Sequence, residues 1–348
     1  MSETAFHLFS MFPIQENIAK YLDEKDLKNL SSLGGVFQNF HFDFCRELDV
    51  DYYELGRCSK FRKIEKLKIR DSIQKFIVPE CVLSVLVSLE VPSIDKQTID
   101  LSKCKRLETL SLKNLRNLCN KDFPLTLKKL ELRECDYYIS KLRIKHLINL
   151  KEIDCSTSSI INAAVNNFPI SLERINLAEC SKLSNFNIKH LINLKEIDCT
   201  DSTITDVAVN NFPVSLEKIS LFGCPRISKF NISHLVNLKE INCGRSRITD
   251  AVINNFPESL EIINLNKCRY ISAFNIHHLV NLKQIDCTGS NITDAAINNF
   301  PDSLEIINLN KCWNISAFNI NHLVNLKKIS CVESRITDAA INNFPESL

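Results

Sequence analysis

From Leu150 onward the apolar positions of this chain recur on a fixed step. Leu150, Leu194, Leu238, Leu282 and Leu326 stand 44 residues apart, and Leu172, Leu216, Leu260 and Leu304 fall midway between them. The step is therefore 22 residues, written in two alternating flavours. Counting each opening leucine as position 1, the first flavour reads Leu238, Ile241, Cys243, Ser246, Ile248 and the second Leu260, Ile263, Leu265, Cys268, Ile271. Positions 4 and 6 lie two apart, which puts them on one face of a short strand, pointing inward. One coil cannot bury that face alone, so neighbouring coils must stack into a continuous core. Openers continue backward through Leu127, Leu107, Leu86 and Ile64, predicting thirteen strands from Ile64 to Leu326, and "CRELDV" from Cys45 reads as an entry coil.

This pattern resembles the leucine-rich-repeat signature, L-x-x-L-x-L-x-x-N/C-x-L, whose period is about 20–29 residues. The resemblance implies an α/β solenoid: a horseshoe whose concave parallel sheet has about thirteen short strands. The return paths differ. "ITDAVINNFP" predicts a short helix through Asp250 to Asn254, with Thr249 as N-cap and Pro257 as the stop. "ISAFNIHHL" lacks such a cap and reads as extended or 3₁₀. The phrases "FP-x-SLE" and "FNI" also resemble the FNIP-type repeats of amoebae and their giant viruses.

The cysteines follow the register. Cys155, Cys199, Cys243, Cys287 and Cys331 occupy position 6; Cys180, Cys224, Cys268 and Cys312 occupy position 9, where Ser158, Ser202, Ser246, Ser290 and Ser334 stand in the other flavour. Equivalent cysteines two coils apart sit about 10 Å from each other, beyond the ~7 Å Cα separation a disulfide tolerates. Reduced, buried thiols are expected, with position 9 bonded to loop backbone. His146, His190, His234, His278 and His322 form a ladder too sparse to chelate one metal, so a loop hydrogen-bonding role is expected.

Residues 12–40 stand outside the repeat. Ile18, Tyr21 and Leu22 form one helical stripe, and Leu27, Leu30 and Leu33 another after Asp26. The segment resembles an F-box through Ile18, Tyr21, Leu22, Asp26, Leu27, Leu30, Leu33 and Phe37, with Phe12-Pro13 where the family has Leu-Pro. That resemblance implies a small helical F-box-like domain over 1–42, an entry coil or linker over 43–63, and the solenoid over 64–348. It also implies a Skp1-like adaptor docked on Pro13, Ile18, Leu22, Leu27, Leu30 and Phe37. The other reading is a helical cap for the open end of the array.

Position 3, on the concave face, reads Glu152, Arg174, Glu196, Lys218, Glu240, Ile262, Gln284, Ile306, Lys328. Its sign alternates through Glu240, a self-supporting pattern worth roughly 0.2–1 kcal/mol per cross-strand pair. Beyond that point Ile262 and Ile306, flanked by Lys267 and Lys311, form an apolar pair with a basic rim. Glu240 and Asp286 complete the expected patch for a protein substrate.

Composition removes alternatives. With 43 Lys plus Arg against 41 Asp plus Glu, net charge +2, nothing global points to nucleic acid or membrane. Six glycines leave no phosphate-cradling loop, no nucleophile–base pair or metal motif is present, and no cofactor is expected. No signal-peptide pattern opens the chain, so the expectation is a soluble, cytoplasmic binding protein, in a host's cytoplasm for a viral source. Leu348 opens a coil that does not follow, so the last coil is expected to fray or to be covered by a partner.

Overall fold

The computed structural model describes residues 12–33, 44–51, 60–61, 63–70, 78–92, 101–114, 123–135, 139 and 142–348. They fall into two compact units, Met1–Tyr138 with His146–Leu150, and Ile139–Lys145 with Lys151–Leu348.

In the first unit, helices α1 (Phe12–Ala19) and α2 (Glu24–Ser32) precede five parallel strands. The strands are β1 (Glu47–Val50), β2 (Lys66–Ile69), β3 (Ser88–Val91), β4 (Thr109–Lys113) and β5 (Lys129–Arg133), with the short helix α3 (Glu80–Leu83) between β2 and β3. Their position-4 leucines stack in register, Leu48 on Leu67, Leu89, Leu110 and Leu130, and all are buried. The entry coil expected at Cys45 is thus a paired strand, β1.

The second unit repeats one device nine times. Strands β6 (Glu152–Asp154), β7 (Arg174–Asn176), β8 (Glu196–Asp198), β9 (Lys218–Ser220), β10 (Glu240–Asn242), β11 (Ile262–Asn264), β12 (Gln284–Asp286), β13 (Ile306–Asn308) and β14 (Lys328–Ser330) pair parallel in chain order. Each spans only positions 3 to 5, so position 6 turns inward just beyond the strand. The first-flavour returns carry one-turn helices: α4 (Asn162–Val165), α5 (Asp206–Val209), α6 (Asp250–Ile253), α7 (Asp294–Ile297) and α8 (Asp338–Ile341). The second-flavour returns are turns.

Thr249 stands at the N-cap of α6, as expected, but it caps through its backbone position alone (φ −115°, ψ 169°), and its side chain makes no capping bond. The equivalent hydroxyls of Thr293 and Thr337 reach the preceding coil instead, donating to Ser272 O and Ser316 O at 3.0 Å. Asp250, the first helical residue, accepts Ser272 N–H at 2.8 Å and Ala273 N–H at 3.1 Å in the next coil. Hydroxyl and carboxylate thus tie one coil to another rather than closing their own helix. The helix also ends sooner than expected, with Asn254 as its C-cap.

The phenylalanines of "FNI" and "FP" form the spine of the core. Phe186, Phe274 and Phe318 stack on Phe212, Phe300 and Phe344 with centroids 6.2, 6.3 and 6.2 Å apart. Thus the phrases that carry the FNIP likeness are packing residues.

Position 8 carries a feature the pattern did not announce: a left-handed backbone. Thr157, Glu179, Asp201, Gly223, Arg245, Lys267, Gly289, Lys311 and Glu333 all have φ between 52° and 68°. This conformation aims each amide at the next coil, as in Arg245 N–H to Asn266 O and Lys267 N–H to Thr288 O, at 2.8 and 2.7 Å. The hydrogen-bond ladder therefore runs past the ends of the strands. Thr157, β-branched at φ 55°, is the least suited occupant. Thr157→Gly is expected to stabilise the second unit by about 1 kcal/mol, read as a rise in the urea midpoint at unchanged m-value.

Candidate functional site

The cysteine and histidine ladders resolve into backbone staples. Cys180, Cys224, Cys268 and Cys312 donate their thiols to the carbonyls of Cys155, Cys199, Cys243 and Cys287 at 3.0–3.1 Å. The same carbonyls can take a second bond: Ser246 Oγ reaches Cys243 O at 2.6 Å. Burial pushes the Cys180, Cys224 and Cys268 thiols up to about 11, and raises those of Cys199, Cys243 and Cys287 well above the ordinary thiol value. Protonated buried thiols are poor nucleophiles and poor metal ligands. His190, His234, His278 and His322 each set Nε2 at 3.0–3.1 Å from the carbonyl of Phe168, Phe212, Phe256 and Phe300. Because a carbonyl only accepts, Nε2 carries the proton. Among the described residues no group of three His, Cys, Asp or Glu side chains could hold a metal ion. No helix among them is long and apolar enough to cross a membrane.

Two charge ladders run along the second unit, one on the solvent face of the sheet and one just before its strands. At position 3, Arg174 pairs with Glu152, and Lys218 with Glu240 at 2.8 Å. Glu240, expected to meet a substrate, is therefore already engaged by Lys218. At position 2, beside the opener, Lys151, Lys195, Lys239, Lys283 and Lys327 alternate with Glu173, Glu217, Glu261 and Glu305. Four of these contacts lie at 2.6–3.7 Å: Lys151–Glu173, Lys195–Glu217, Lys283–Glu261 and Lys327–Glu305. This second ladder was missed, although the repeated Leu-Lys and Leu-Glu pairs spell it out. Such exposed pairs contribute little singly, up to ~1 kcal/mol.

Past Glu240 the face changes character. Ile262 and Ile306 flank Gln284 in register and are 36% and 37% exposed, which for a strand isoleucine is a large solvated area. Asp286 is half-buried, and its Oδ1 accepts Thr288 N–H at 2.8 Å, a turn-closing bond that Asn264 and Asn308 repeat in their own coils. Its carboxylate is thus partly committed to the fold. Lys267 and Lys311 stand at the left-handed position 8, both exposed, and Lys311 lies 3.6 Å from Glu333. The structure therefore brings Glu240, Ile262, Lys267, Asp286, Ile306 and Lys311 onto adjoining coils, with Glu240 beside Ile262 and held by Lys218.

In the first unit, Leu27 is buried at 3% exposure, while Ile18, Leu22 and Leu30 are half-buried. Pro13 lies in α1, and Phe37 lies outside the described residues. Asp23 caps α2 by accepting Asp26 N–H at 2.8 Å. Glu16 is tied to Lys63 at 2.6 Å, and that bond holds its carboxyl below the usual range. Tyr21 (89%) and Leu33 (72%) project into solvent.

The same architecture occurs in solved proteins. An internalin (InlF) of Listeria monocytogenes matches at TM-score 0.61 and 14% identity, over 96% of this chain and 92% of that one. The fold is a leucine-rich-repeat solenoid. The functional domain of InlJ from Listeria monocytogenes, described as including a cysteine ladder, matches at TM-score 0.60 and 16% identity, over 88% of this chain and 73% of that one. A chain of the Drosophila Toll–Spätzle complex matches at TM-score 0.64 and 15% identity, over 86% of this chain and 46% of that one. No protein-family model and no curated protein matches the sequence.

Proposed function

We propose that this chain is a protein-binding leucine-rich-repeat module that recruits a target to a cullin-type ubiquitin ligase. In this reading α1 and α2 form an F-box that docks a Skp1-like adaptor. The solvent face of β10 to β14 holds the target through Ile262 and Ile306, with Lys267, Lys311, Asp286 and Glu240 around them. The chain supplies proximity and no chemistry of its own.

The observation that supports the adaptor role is the outward Tyr21 and Leu33. A helical pair serving only to cap the array would turn such side chains inward, as it turns Leu27. The cap reading has its own support in buried Leu27 and the Glu16–Lys63 bond, and an F-box seated on the array would make both contacts as well.

Co-precipitation of the purified full-length chain with Skp1 tests the proposal. Tyr21→Asp with Leu33→Asp is the informative variant, because both side chains are exposed and their loss leaves the core intact. Retention of the parent and loss of at least about tenfold in the variant is expected, each apolar anchor contributing ~1–2 kcal/mol. Failure of the parent to retain Skp1 leaves the helices as a cap and removes the ligase role.

A further inference from the structure

At positions 8 and 10 the loops leaving the strands of the second unit turn basic along the array, while at position 11 Lys182 and Arg226 already place one exposed cation in each of two earlier loops. At positions 8 and 10, the coils opening at Leu150, Leu172, Leu194 and Leu216 present Thr157, Ser159, Glu179, Ser181, Asp201, Thr203, Gly223 and Pro225, which hold two acids and no base. From Leu238 on, the same positions present Arg245, Arg247, Lys267, Arg269, Lys311 and Arg335, against the single acid Glu333. All six cations are exposed. Five of them, Lys311 excepted, have no carboxylate partner within 4 Å among the described residues. A chain of net charge +2 has thus gathered unpaired positive charge on one edge. Tyr270 and Trp313, each 59% exposed, stand in the same loops two coils apart.

We propose that this edge is a docking strip for an acidic segment of a partner protein. The proposal rests on the protein-binding reading given above and names the chemistry of the target. The position-8 residues rise by one coil at a time, about 4.8 Å each. Arg245 to Arg335 therefore spans roughly 19 Å, the length of about six extended residues at ~3.3 Å each. Carboxylates of such a segment meet the guanidinium and ammonium groups. Its apolar side chains meet Ile262 and Ile306 on the strand face and the two aromatic rings on the edge.

Two observations favour a peptide over a nucleic acid or a free phosphate. The position-8 amides of Arg245, Lys267, Gly289 and Lys311 are all donated to the next coil, so no cradle of unpaired N–H groups faces outward. The adjoining strand face presents the exposed Ile262 and Ile306, which give apolar side chains of a peptide a surface to cover and give a polyphosphate none.

The test is selection of random twelve-residue displayed peptides on the full chain at physiological salt. The selected peptides are then assayed by the emission of Trp313, the chain's only tryptophan. Sequences rich in Asp and Glu with interspersed Leu or Phe are expected, shifting Trp313 emission. They should bind roughly tenfold or more weakly to Lys267→Glu with Arg269→Glu. Glutamate already occupies the left-handed position 8 at Glu179 and Glu333, so this reversal leaves the backbone undisturbed. Enriched peptides without acidic bias, or acidic peptides that ignore the reversal, would overturn the strip while leaving a binding surface elsewhere on the array. No enrichment at all would overturn both readings. Tighter binding of a fluorescein-labelled twenty-nucleotide single-stranded DNA than of the best peptide would assign the strip to nucleic acid instead.

Discussion

Between pH 9 and pH 11, under argon with reductant present, the second unit is expected to unfold. An unfolded thiol ionises near pH 8.5. In the array, burial holds Cys180, Cys224 and Cys268 up to about 11, and raises Cys199, Cys243 and Cys287 well above the ordinary thiol value. The fold keeps protons that the unfolded chain releases. The stabilisation is therefore complete below the unfolded pKa and is lost as the pH rises toward the folded one. At pH 10 each of the three thiols held near 11 costs about 2 kcal/mol, so Cys180, Cys224 and Cys268 alone remove about 6 kcal/mol. That equals the whole stability of an ordinary domain. Circular dichroism followed against pH gives the midpoint. Replacing Cys199, Cys243 and Cys287 with Val should raise that midpoint while leaving the fold at pH 7 intact, since position 6 already accepts Leu in the other flavour. An unchanged midpoint would assign the alkaline transition to the lysine ladders.

Phe274→Ala is the other change of large effect. The ring is fully buried and stacks on Phe300 at 6.3 Å. Removing a core phenylalanine costs about 3–5 kcal/mol through lost transfer energy and the cavity left behind. In a stacked array each coil contacts only its neighbours, so the loss should be local. Hydrogen exchange is expected to accelerate first in residues 256–310, with the coils of β6 to β8 holding their protection. Trp313→Ala, at an exposed site two coils away, should change stability by no more than about 0.5 kcal/mol. Equal acceleration throughout the second unit would show that its coils unfold as one block.

Much of this was legible in the residues. Openers at a constant step, with inward positions 4 and 6, give the strand count to within one, because stacking leaves a 22-residue coil few other ways to bury that face. The cysteine and histidine ladders were legible for a related reason. A polar group repeated at coil spacing meets the backbone of its neighbour before it meets its own copy. The left-handed turn at position 8 was obscured because only Gly223 and Gly289 advertise it; Thr157, Arg245 and Lys267 adopt it under the pull of the next coil's carbonyl. Thr249 looked like a side-chain cap because local rules favour its hydroxyl there, whereas stacking supplied partners that an isolated helix lacks. The unpaired basic edge was hidden by a balanced total charge, since composition sums what the coil geometry separates.

The alternation of two coil flavours has a consequence for how such an array can change length. Lysine faces glutamate at position 2, a cysteine thiol faces a serine coil at position 9, and helical returns alternate with plain ones. Loss or gain of a single coil would set lysine against lysine and helix against helix at the junction. Loss or gain of 44 residues leaves every junction as it was. The double coil is therefore the unit by which the array can lengthen or shorten without a mismatched junction.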